Sequence, residues 1–193
     1  MPNVGVLAMQ GAFREHSVSL RRLRAKTCEV RSLKDAAGID ALIIPGGEST
    51  TIGKLLHEGD MLEPLKERIE QGMPVYGSCA GLILLCREIE NSDQPRFGVL
   101  DATVRRNAFG RQTDSFEAAL KISDLGEKPF LAVFIRAPFL LKTGQDVRVL
   151  ATANGHPVAV RQKNILATSF HPELTSDRRV HGYFLDMCAG GRS

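Results

Sequence analysis

No apolar run in the chain approaches the ~20 residues that a membrane helix requires. Repeats, low-complexity tracts and an interdomain linker are missing as well, and 193 residues fill one domain better than two. The expectation is therefore a single domain over 1–193. Cys28, Cys79, Cys86 and Cys188 include no C-x-x-C pair, and no signal peptide precedes the first apolar segment. Both absences point to a reducing, cytoplasmic setting with four unpaired thiols. No Cys/His pairs are spaced as metal ligands. Charge of one sign is scarce: a net +3 gives no reason to invoke nucleic acid, and Arg21, Arg22, Arg24 and Lys26 read as the solvated end of a helix. What remains is ordinary for a soluble globular protein, 43% hydrophobic and 24% charged.

The first 90 residues alternate. Val4–Met9 is a short apolar run, and Phe13–Ala25 carries Phe13, Val18, Leu20 and Leu23 among charges, as an amphipathic helix does. Cys28–Leu33 and Ala41–Pro45 read as strands, and Met61–Gln71 as a helix closed by Gly72 and Pro74. Pro74–Tyr76 reads as a strand, Gly77-Ser78-Cys79 as a tight turn, and Ala80 as the opening of a helix. This order predicts an α/β, flavodoxin-like open sheet, mostly parallel and flanked by helices. Beyond Phe97 the texture changes to short strands at Ala102–Arg106, Ser115–Ile122, Leu131–Arg136, Val147–Ala153, Pro157–Arg161 and Ile165–Ser169, with a final helix near Arg178–Cys188. That half predicts an antiparallel, strand-rich extension.

In open sheets ligands bind at the carboxyl ends of the strands. Three segments fall there: Pro45–Thr51, Ser78–Gly81 and Phe170–Glu173. Cys79 sits at a strand-to-helix corner, where free helix N–H groups favour a thiolate and where nucleophile elbows are built. Cysteine also packs well as a small buried side chain, so the residues alone leave both readings open. In "SFHPEL" an extended backbone would aim His171 and Glu173 to one side, with Pro172 keeping His171 out of helical geometry. Such a histidine can take a thiol proton while the carboxylate orients it; a solvated loop end with an ion pair is the competing reading. His16, His57, His156 and His181 show no comparable arrangement.

"IIPGGESTTIGK" is not a phosphate loop. It has one residue too many between Gly47 and Gly53, and Leu55 follows Lys54. It reads instead as a glycine turn with exposed N–H groups, Ser49 or Thr50 capping the next helix.

Together, "PGG" at 45–47, "GSCAG" at 77–81 and "HPE" at 171–173 resemble the class I (triad) glutamine amidotransferases. Within that class, "GGEST", "RRNAFGRQ" at 105–112, "FIRAP" at 134–138 and "SFHPELT" at 169–175 resemble the glutaminase subunits of two-component pyridoxal 5′-phosphate synthases. The resemblance spans nearly the whole chain. It implies Cys79 as nucleophile, His171 and Glu173 as its relay, and Gly47, Glu48, Ser49, Arg106, Ile135 and Arg136 as contacts for L-glutamine. The N–H groups of Gly47 and Ala80 are the implied oxyanion hole. No cofactor or metal is implied; the implied partner is a (β/α)8-barrel synthase in a hetero-oligomeric complex. A glutaminase serving another acceptor, a cysteine redox or protein-handling factor on a related fold, and a non-enzymatic flavodoxin-like binding module are the rival readings.

Overall fold

The computed structural model describes residues 1–108 and 115–190. Its first half runs β1 (Asn3–Leu7), α1 (Phe13–Arg22), β2 (Lys26–Val30), α2 (Leu33–Ala36), β3 (Ala41–Ile44), α3 (Ser49–Glu58), α4 (Leu62–Glu70), β4 (Val75–Ser78) and α5 (Ala80–Leu85). The second half runs β5 (Cys86–Ile89), β6 (Leu100–Arg105), β7 (Ser115–Leu120), β8 (Phe130–Ile135), β9 (Phe139–Thr143), β10 (Arg148–Ala153), β11 (His156–Gln162), β12 (Ile165–Thr168) and α6 (Arg179–Gly190).

A seven-stranded sheet in the order β10-β11-β12-β4-β3-β1-β2 forms the centre. The strands from β12 to β2 are mutually parallel, and β10 and β11 extend the sheet antiparallel. β3, β4 and β12 are buried along their whole length, as strands covered on both faces must be. Period-two alternation sorts their side chains: Leu42 and Ile44 join Ile52, Leu56, Leu65 and Leu82 under α3–α5, whereas Ala41, Ile43 and Tyr76 join Leu20 and Phe184 under α1 and α6. A smaller mixed sheet, with β5 parallel and β9 antiparallel to β6, and an antiparallel β7–β8 ribbon complete the second half. The fold class matches the sequence expectation. Among the described residues no helix is long and apolar enough to cross a membrane, and Cys28, Cys79 and Cys86 are free thiols.

Several expectations need correction. The strand placed at Cys28–Leu33 is Lys26–Val30, and Leu33 opens α2 because Ser32 caps it, accepting from the Asp35 N–H at 3.3 Å. Gly77 and Ser78 belong to β4, so the turn is concentrated at Cys79. β5 has no counterpart in the sequence reading: the apolar run of α5 passes into it with no turn residue, Cys86 switching directly to extended backbone (φ −61°, ψ 141°). β9 has none either. Phe109, Gly110, Arg111 and Gln112 of the "RRNAFGRQ" motif lie outside the described residues.

Candidate active site

β1, β3, β4 and β12 are neighbours in the sheet, and the segments leaving their carboxyl ends meet in one cleft of about 220 Å³. That is small against the roughly 300–1,000 Å³ of drug-sized sites and suits a ligand of amino-acid size. Cys79, His171, Gly47, Glu48, Ser49, Arg106, Ile135 and Arg136 line it. Glu173 stands behind His171, and Ala80 beside Cys79 at the start of α5. The structure thus brings together every residue that the sequence singled out.

Cys79 has φ 48° and ψ −100°, a conformation that costs a non-glycine residue about 1–3 kcal/mol. Its N–H is held by the Thr168 carbonyl of β12 at 2.8 Å, and its own carbonyl accepts from Ile83 N–H in the first turn of α5. The tight corner needs α5 close to β3. Gly81 permits this, because a Cβ there would lie 2.1 Å from the Ile44 carbonyl oxygen. The corner leaves the Cys79 side chain at the cleft and the Ala80 N–H among the unpaired donors of a helix start.

His171 is not in an extended segment with Glu173, as the sequence suggested. Pro172–Leu174 form a 3₁₀ turn, with His171 just before it at φ −107° and ψ 85°. The tighter turn still carries Glu173 Oε1 to 2.8 Å from His171 Nδ1. Backbone pairing fixes the position, since His171 N–H donates to the Val133 carbonyl of β8 at 2.8 Å. Burial alone would lower the His171 pKa, but hydrogen bonding to Cys79 and to Glu173, together with their charges, carries it up to about 10. Burial pushes Glu173 upward, yet His16, the hydrogen bond to His171 and the His171 charge hold it below the usual carboxylate value. With Nδ1–H given to Glu173, the other ring nitrogen is left to serve the Cys79 thiol that lines the same cleft. A thiol, a base and an orienting carboxylate so joined can perform nucleophilic attack on a carbonyl or amide carbon.

The glycine turn also departs from expectation. Neither Ser49 nor Thr50 caps α3; Glu48 is the N-cap, without a side-chain cap bond. The Ser49 hydroxyl and Arg106 Nη1 instead converge on Gln94 Oε1, at 3.4 and 3.1 Å. Gln10 Oε1 accepts the Glu48 N–H at 2.7 Å, and the Gly46 carbonyl accepts from Ala12 N–H at 3.0 Å, so the end of β1 fixes the turn. Gln10, Ile83 and Asn107 line the cleft and Gln94 braces it, none of them singled out as site residues. Only Gln10 had a usable signal, its place just past an apolar strand. The sequence also assigned no partners to His16 and His181. His16 Nε2 in fact lies 3.4 Å from Glu173 Oε2 and 3.0 Å from Ser78 Oγ, and His16 Nδ1 lies 3.0 Å from His181 Nε2.

Comparison with known proteins gives the family. A relative from Moorella thermoacetica is 58% identical over 184 residues, covering 95% of this chain and 98% of its own. One from Carboxydothermus hydrogenoformans is 55% identical over 188 residues, covering 97% and 98%. Both are named pyridoxal 5′-phosphate synthase subunit PdxT. A crystal structure described as a glutamine amidotransferase superposes with a TM-score of 0.92 at 51% identity, covering 96% of this chain and 98% of that one. Residues 6–190 match the family described as SNO glutamine amidotransferase, and with near-full-length relatives above half identity the chain belongs to that family.

Proposed function

We propose that this chain, as one domain over 1–193, hydrolyses L-glutamine to L-glutamate and ammonia and passes the ammonia to a pyridoxal 5′-phosphate synthase. His171, bonded to the buried Glu173 and lining one cleft with Cys79, is the observation that carries the reading. His171 takes the Cys79 proton; the sulfur attacks the side-chain amide carbon, and the N–H groups of Gly47 and Ala80 receive the developing oxyanion. As the C–N bond breaks, His171 returns the proton to the departing ammonia and a glutamyl thioester remains. Water, deprotonated by His171, then adds to the thioester carbon, glutamate leaves, and the thiol is restored. Every group in this scheme is supplied by the chain, the substrate and water.

The cleft is chemically matched to an amino acid. Glu48 complements an α-ammonium group, while Arg106 and Arg136 complement an α-carboxylate; Ser49 and Ile135 border the same space. The relatives' names support pyridoxal phosphate synthesis over the rival acceptors. Ammonia protonated to ammonium is no nucleophile, so its release is best coupled to an acceptor enzyme, here a (β/α)8-barrel synthase in a hetero-oligomeric complex. Free thiols at Cys28, Cys79 and Cys86 support a cytoplasmic setting. The test mixes Cys79→Ala with the synthase. Glutamine should fail as nitrogen source while ammonium salt still supports pyridoxal phosphate formation; glutamine-dependent synthesis by this variant refutes the scheme.

A further inference from the structure

Behind Glu173 lies a buried polar cluster for which the reaction scheme has no use. His16 of α1 and His181 of α6 are both 0% exposed, as is Ser78 at the end of β4. The hydrogen bonds among them have a definite polarity. Ser78 Oγ accepts the Gly46 N–H at 3.1 Å and directs its proton to Glu173 Oε1 at 3.5 Å. His16 Nε2, 3.0 Å from Ser78 Oγ and 3.4 Å from Glu173 Oε2, must then carry hydrogen, since a bare lone pair there would face a carboxylate. His16 Nδ1 is consequently the acceptor for His181 Nε2–H at 3.0 Å. The chain of bonds ends at His181 Nδ1, a buried atom without a partner among the described residues, and an unpaired acceptor is tolerated better than an orphaned N–H.

We propose that His16 is a positioning residue for the glutaminase reaction: fixed as its Nε2–H tautomer by His181, it holds Glu173 and Ser78 together and so ties the carboxylate behind His171 to the Gly46 N–H of the glycine turn. The proposal rests on the glutaminase reading above. Burial keeps both imidazoles neutral, lowering His16 below its ordinary value and His181 to about 3. The groups facing His16 are consistent with a neutral donor: Glu173 and His171 after β12, His181 across from α6, Tyr76 and Ser78 on β4, and Glu15 on its own helix. A second cation beside His171 would compete for Glu173, whereas a neutral N–H orients the carboxylate and leaves its charge for the imidazolium. Glu173 Oε2 makes no hydrogen bond of ordinary length among the described residues, so His16 at 3.4 Å is the group placed to hold that side of the carboxylate.

The experiment measures glutamate release in complex with the synthase for wild type, His16→Leu and His16→Gln. Leucine keeps bulk but no donor; glutamine offers an amide N–H toward Ser78 and Glu173. His16→Leu should leave KM for glutamine nearly unchanged and lower kcat about tenfold to a hundredfold, as loss of a hydrogen bond at a charged group does. His16→Gln should recover most of it. On the unaltered chain, ¹⁵N histidine spectra should show His16 as the Nε2–H tautomer, constant from about pH 5 to pH 8. Wild-type kcat in His16→Leu, a glutamine variant as slow as the leucine one, or an Nδ1–H tautomer overturns the proposal. A wild-type complex that releases no glutamate would instead overturn the glutaminase reading, while the tautomer still tests the polarity of the cluster.

Discussion

A single methyl group at position 46 should disable the site and spare the fold. The backbone of Gly46 is not left-handed, so alanine meets no conformational penalty there. Its Cβ, however, would lie 2.3 Å from His171 Cε1, 2.8 Å from Nδ1 and 3.5 Å from Cys79 Cβ. Relieving the closest contact requires the ring to retreat by about 1 Å. The ring has little room to do so, pinned by the 2.8 Å bond to Glu173 and by the backbone bond from His171 N–H to Val133. Misplacement of a reacting group by about 1 Å costs on the order of a hundredfold in rate. Gly46→Ala should therefore lose about two orders of magnitude in glutamate release with the synthase present, while its circular dichroism stays native. Gly47→Ala is the comparison: its Cβ would meet Gln10 Oε1 at 2.3 Å, the end of a flexible side chain that can swing aside at the cost of its bond from Glu48 N–H, and the loss should be milder. Wild-type turnover in Gly46→Ala, or a larger loss at Gly47, would refute the assignment of His171 to the chemistry.

Glu173→Gln should keep the fold and glutamine binding but slow turnover on the order of a thousandfold, because an amide can hold Nδ1–H yet cannot stabilise the imidazolium; unchanged kcat would make the His-Pro-Glu turn structural. An electrophilic glutamine analogue should label Cys79 ahead of the other thiols, since burial raises the pKa of Cys28 and Cys86 and leaves Cys188 enclosed; peptide mapping that finds mainly one of those three contradicts the site. Acid should destabilise the fold. Burial depresses His181 to about 3, so below its ordinary value of 6.5 the unfolded chain binds a proton that the folded chain does not; this stability, on the order of 5 kcal/mol, is present above pH 6.5 and lost as pH falls toward 3. His16 and Glu173, both lowered, act in the same direction, whereas His171, raised to about 10, contributes stability below 6.5 that is lost as pH rises through 10. Urea midpoints that are level from pH 7 to pH 4 would contradict the buried neutral pair.

Much of the site was legible because its chemistry is concentrated in short segments at strand ends. Cys79 is flanked by the glycines that its corner needs, and His171 and Glu173 are separated by one proline. The supporting residues were not legible, because their partners are remote in the chain. His16 meets Glu173 only through the packing of α1 against the 3₁₀ turn that carries Glu173, and Gln94 reaches Ser49 and Arg106 from a loop without regular pattern. Fold class was readable from the alternation of apolar runs. β5 was not, because the apolar run of α5 leads into Cys86-Arg87-Glu88-Ile89 with no turn residue to mark the change, and only tertiary packing decides where it occurs.

The order of the central sheet has a consequence for how the protein is made. β12 is the last strand synthesised, yet it docks between β4 and β11 and delivers His171 and Glu173 to a thiol placed some ninety residues earlier. A nascent or truncated chain without β12 lacks the proposed base, and it lacks the Thr168 carbonyl that holds the Cys79 N–H. Such long-range pairing is the slow, late part of folding. On the roles proposed for His171 and Glu173, glutamine cleavage therefore awaits insertion of the final strand, and unfinished chains release no ammonia.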